Sequence, residues 1–137
     1  MRLQLFSDLH LESETFDPQP APGAELLVLA GDIDANWGAL QRFAGWPVPV
    51  IMVAGNHEFD GRELREAWPA LRAHCDALGI RLVERESVTV TARNGQRVRF
   101  VGTVDAAKMR GPYLDTQATH LLKELTRSVP TALRARE

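Results

Sequence analysis

Residue types that bind divalent metals stand in three short runs near the start of this chain: Ser7-Asp8-Leu9-His10, Ala30-Gly31-Asp32 and Ala54-Gly55-Asn56-His57-Glu58. Carboxylate, imidazole and amide oxygen together suit divalent transition metals and Mg²⁺ rather than thiophilic ions. Asp8 and His10 lie two residues apart, so on an extended chain their side chains share one side and reach one metal. Asp32 has two carboxylate oxygens and can bridge two ions, with Gly31 letting another backbone come close. Asn56 offers a carbonyl oxygen to the second ion. Its neighbour His57 is then expected to point elsewhere, free for acid–base or electrostatic work. Two-metal sites hold their ions roughly 3.5–4 Å apart, clamp a phosphate and acidify a water. A nearby imidazolium can protonate the leaving oxygen.

Each run needs an element that delivers it, and each follows an apolar, strand-like stretch: Arg2 to Ser7, Glu25 to Ala30 and Val50 to Ala54. In open α/β sheets, ligands bind at the carboxyl ends of the strands. Asn36 to Gly45 has a helical spacing of apolar residues that Pro47 and Pro49 bar from continuing. Gly61 to Leu78 carries a longer stripe through Leu64, Ala67, Trp68, Leu71 and Cys75. Gly79 is its expected stop, and Pro69 predicts a kink or break near Trp68. Strands alternating with helices predict a mainly parallel sheet flanked by helices. Ile80 to Val83, Val88 to Thr91 and Val98 to Val101 are short and β-branched, and Asn94-Gly95 marks a hairpin. The sheet is expected to gain antiparallel strands here. Beyond Gly102 the pattern weakens, with one further helix expected over 115–125.

The chain has 137 residues, a size that fits one domain, and its 45% hydrophobic content allows a buried core. Its net charge of -2 gives no reason to expect broad electrostatic binding to nucleic acid, which enters only as a substrate. The lone Cys75 excludes an intrachain disulfide and reads as a buried structural thiol in a reducing compartment. The N-terminus is too polar for a signal peptide, and no apolar run approaches the length of a membrane span. A cytoplasmic location with no membrane partner is expected. No Gly-x-Gly-x-x-Gly follows the first strand, which argues against dinucleotide binding.

The three runs, in this order and on three strand ends, make the chain resemble the N-terminal half of a calcineurin-like metallophosphoesterase. That superfamily's signature begins Asp-x-His, Gly-Asp, Gly-Asn-His-Glu/Asp. The resemblance implies the first half of an α/β/β/α sandwich over residues 1–102. It implies two divalent ions (Mn, Fe or Zn) and a phosphomonoester or phosphodiester substrate. By the same resemblance Asp8 and His10 bind the first metal, Asp32 bridges, Asn56 binds the second, and His57 is catalytic. Glu58 is expected to support these ligands from behind. Asp34 follows the bridging Asp at a spacing that fits a histidine-orienting role poorly, so a loop or capping role is its equal alternative.

The signature's later histidine blocks have no counterpart. His74 reads as an ordinary helix histidine, and His120 follows no apolar run. One metal is therefore expected to bind well and the second loosely. Residues 103–137 are expected to be an unmatched segment, truncated or atypical, ending in an irregular or helical tail. The alternative to an enzyme is a catalytically inactive member that binds a metal or a partner. A sheet left partly bare predicts a homodimer or a poorly soluble monomer. Trp37, Trp46 and Trp68 fit packing better than base stacking. Arg62, Arg65 and Arg72 read as a solvated helix face, with Lys108 and Arg110 as candidate phosphate contacts.

Overall fold

The structure is a computed structural model that describes residues 1–104. The helix expected over 115–125, the C-terminal tail, Lys108, Arg110 and His120 lie outside the described residues.

Four short apolar segments form one parallel sheet in sequence order: β1 (Leu3–Phe6), β2 (Leu26–Ala30), β3 (Val50–Val53) and β4 (Ile80–Leu82). The registers Leu3↔Leu26, Leu27↔Val50 and Val50↔Ile80 bring the carboxyl ends of β1, β2 and β3 to one edge. All three motif runs therefore emerge side by side. β2 and β3 are the most buried strands, which is why they read as near-continuous apolar runs.

The β2–β3 connection contains a 3₁₀ helix (Gly38–Phe43) in place of the expected helix over 36–45. Trp37 precedes it in the left-handed region and Pro47 follows closely, so the segment lacks length for a stable α-helix. The β3–β4 connection holds α1 (Leu64–Ala77), which buries Ala67, Leu71 and Cys75. Of the kink or break expected near Trp68, the helix does not break: α1 runs through Pro69. The proline removes one N–H donor, and the buried stripe on either side holds the helix against that loss. Gly79 takes φ 73° just past the C-cap and donates to Asp76 O, ending the helix as its type suggests.

β5 (Glu86–Thr91) and β6 (Arg97–Gly102) form an antiparallel hairpin. Its turn closes with Ala92 N–H to Gln96 O at 2.8 Å, and Gly95 takes φ 85°. Two expectations need correction here. β4 pairs in parallel with β3, because α1 supplies a full crossover before it. The hairpin forms its own two-stranded sheet instead of extending the first. Val88, Val90 and Phe100 pack against Leu26, Ile51 and Val83, so the hairpin caps one face of the parallel sheet. No helix among the described residues is long and apolar enough to cross a membrane.

Candidate metal centre

The loops after β1 and β2 run alongside each other beyond the strands. Asp8 N–H donates to Gly31 O at 3.0 Å, His10 N–H to Asp32 O at 3.1 Å, and Leu11 N–H to Ile33 O at 2.9 Å. Asp8, His10 and Asp32 all adopt positive φ, at 54°, 47° and 51°. Non-glycine residues rarely hold this conformation, and such strain clusters at functional sites. It also overturns the extended-chain geometry expected for Asp8 and His10, since β1 ends at Phe6.

The loops after β2 and β3 meet at two glycines. Gly31 has φ 88°, and a Cβ there would stand 2.9 Å from Gly55 N. A Cβ on Gly55 would in turn drive into the backbone and carboxylate of Asp32. The close approach expected of Gly31 is thus present, and it needs a glycine on both sides.

Glu58 locks this junction. Its carboxylate is fully buried and accepts from Asp32 N at 3.0 Å, Ile33 N at 2.6 Å, Asp34 N at 3.4 Å and Gly55 N at 2.6 Å. Burial pushes its carboxyl above the usual range, while the N–H groups of Ile33, Gly55 and Asp32 pull the other way. Glu58 therefore acts on the site through the backbone that carries Asp32. Asp34, also buried, accepts from Asn36 N at 2.9 Å and Ala39 N at 2.7 Å. These bonds are the loop-capping role, and no histidine among the described residues bonds to Asp34.

His10, Asp32 and His57 come together, with one potential ligand atom from each lying within 4.8 Å of the others. The imidazoles of His10 and His57 meet edge to face at 5.1 Å between centroids. Asp32 Oδ1 accepts from His57 N at 3.0 Å. His57 was expected to point away; instead a 3₁₀ turn (His57–Phe59) begins right after Asn56 and brings it into the group. Asp8 lies outside this group, and its carboxylate takes a hydrogen bond from Ser7 Oγ. Asn56 is half-buried and its side chain does not cap the 3₁₀ turn.

Two carboxylates that sequence reasoning missed hold the histidines. Glu12 Oε1 lies 2.9 Å from His10 Nδ1, while Glu12 Oε2 accepts from Ala35 N at 3.0 Å. Asp60 Oδ2 lies 2.7 Å from His57 Nδ1. Each pairing leaves Nε2 as the ring nitrogen free for the centre. The hydrogen bond to Glu12 holds the His10 pKa above its ordinary value, against desolvation. The bond to Asp60 does the same for His57. The signals were spacings of two and three residues, too common to single out.

The donor set fits a divalent ion. Two imidazoles and a carboxylate with converging ligand atoms are borderline donors suited to Mn, Fe or Zn, and carboxylates fix the rings as they do around ligating histidines. His74, half-buried on α1, faces Trp37 O at 3.1 Å and takes no part. Trp37, Trp46 and Trp68 pack against His74, Phe43 and Phe59.

A family model described as calcineurin-like phosphoesterase matches residues 1–115. Neither the curated proteins nor the solved structures contain a match to the chain.

Proposed function

Because the chain belongs to the calcineurin-like phosphoesterase family, we propose that it is a metal-dependent hydrolase that cleaves a phosphomonoester or phosphodiester with water. The observation that carries this reading is the convergence of His10, Asp32 and His57 at the carboxyl ends of adjacent parallel strands. His10 and Asp32 would hold a divalent ion, with Asp8 completing that site and Asn56 serving a second ion that Asp32 bridges. When bound, such ions supply Lewis acidity toward phosphoryl oxygens and lower the pKa of water.

The chain's own groups divide the remaining work. Glu12 fixes the His10 ring so that Nε2 faces inward. Glu58 and the paired glycines hold Asp32 at the junction of two loops. His57 is the proton donor to the leaving oxygen. Its pairing with Asp60 through Nδ1 fixes the ring that would deliver the proton.

The test is hydrolysis of p-nitrophenyl phosphate and bis-p-nitrophenyl phosphate with added Mn²⁺, using the chain and its Asp32→Asn variant. Mn²⁺-dependent turnover that disappears in the variant supports the reading. A folded chain that turns over neither ester with Mn²⁺, Fe²⁺ or Zn²⁺ refutes it and leaves a binding module.

A further inference from the structure

Arg62 does not sit on the helix face where sequence reasoning put it. It precedes α1, and its guanidinium lies over the Trp37 ring at 3.7 Å from the centroid. Arg62 Nη2 donates to Ala35 O at 3.4 Å. The same Ala35 gives its N–H to Glu12, which orients His10. From the other side, Arg62 follows Asp60, which orients His57, and its own N–H is fixed to Phe59 O at 3.1 Å. Arg62 is thus tied to the two short segments that set both histidines.

Trp37 is itself held firmly. It is buried, adopts φ 67°, and donates from Nε1 to Glu58 O at 2.8 Å. An aromatic face anchored this way is a rigid platform for a guanidinium. Arg62 remains exposed, and its Nη1 and Nε have no acceptor among the described residues. The carboxylates beside it along these segments are Glu12, which shares Ala35 with it, and Asp60, two residues before it. A preorganised guanidinium with unused donors, tied to the segments that orient both histidines, matches a phosphoryl group, whose oxygens it can take two at a time.

We propose that Arg62 is the substrate-positioning residue that selects phosphomonoesters, by pairing with the terminal phosphoryl oxygens of a dianionic phosphate. A diester carries an uncharged substituent in place of one of those oxygens and gains less from the pairing. The proposal rests on the phosphoesterase reading above for its reaction, but phosphate binding tests it separately.

The experiment compares the wild-type chain with Arg62→Ala and Arg62→Lys. Steady-state kinetics with Mn²⁺ use p-nitrophenyl phosphate and bis-p-nitrophenyl phosphate, and calorimetry measures inorganic phosphate binding to the same Mn²⁺-loaded samples. Loss of a charge-assisted contact should raise the monoester KM and weaken phosphate binding roughly tenfold in Arg62→Ala. The diester KM should move by no more than about twofold, and Arg62→Lys should recover only part of the loss, as a point charge does. Equal losses on both esters, or none on either, would overturn the assignment. Phosphate binding that weakens in Arg62→Ala without any turnover in the wild type would sink the hydrolase reading and leave Arg62 as a phosphate ligand. Turnover indifferent to Arg62 would do the reverse, and a wild type that neither binds phosphate nor turns over would remove both.

Discussion

Gly55 lies flat against Asp32: a Cβ at position 55 would stand 2.6 Å from Asp32 N. Backbone cannot retreat as a flexible side chain can, because Glu58 already ties both segments. Gly55→Ala should therefore cost about 2 kcal/mol or more, in the range of overpacked interiors. It should also weaken Mn²⁺ binding at least tenfold. Urea unfolding and metal calorimetry check the two effects. Unchanged metal affinity in a folded Gly55→Ala chain would mean that Asp32 is not held in place by this contact.

His57 raises a question that metal affinity and rate answer differently. As the proton donor, His57→Asn should lower kcat by about 10²-fold or more while leaving Mn²⁺ affinity within a few-fold. A ligand role would instead show as a large loss of metal affinity. Asp60→Asn should reduce kcat less, because it removes only the group that orients the ring. Calorimetry beside steady-state kinetics separates these outcomes.

Glu84 offers a pH signature away from the centre. Its side chain is largely buried and accepts from Val104 N at 2.9 Å, and burial pushes its carboxyl up. A carboxyl raised on folding adds stability that is full below the ordinary carboxylate range and is lost as pH rises through the raised value. Relative to Glu84→Gln, the wild type should lose stability as pH rises from the ordinary carboxylate range through the raised value. Urea midpoints across that window test this; parallel curves would refute it.

Self-association is the fourth expectation. Leu3 and Leu5 are 51% and 61% exposed on β1, an edge strand of the four-stranded sheet. They stand in register with Leu26 and Val28, on the face that the hairpin covers further in. Exposed edges with apolar residues invite pairing with another chain. Static light scattering should show a dimer or larger species, and Leu3→Lys with Leu5→Lys should shift it toward monomer. A monodisperse wild-type monomer at high concentration would contradict this.

Much of the frame was legible because local chemistry decided it. The apolar runs of β2 and β3 admit little besides buried parallel strands, and Gly79 and Asn94-Gly95 mark positions where chain direction must change. The Gly31 approach was legible because a glycine between a buried strand and a carboxylate has few other uses. What stayed hidden depends on loops folding back on themselves. Glu12 and Asp60 reach their histidines only because left-handed residues and a 3₁₀ turn replace extended chain. Arg62 looked like part of a solvated helix because its helical neighbours carry arginines too. Its partner Trp37 lies far away in sequence, and no spacing rule connects the two.

The Glu58 carboxylate also defines the smallest portable version of this centre. One side chain from the third run holds the backbone of the second at Asp32, Ile33 and Asp34, and its own loop at Gly55. Anyone moving Asp32 onto another scaffold must carry residues 31–34 and 55–58 together, at the separation of neighbouring parallel strands. Grafted alone, the Gly31-Asp32 loop would bring the Asp32 carboxylate without the internal jig that aims it.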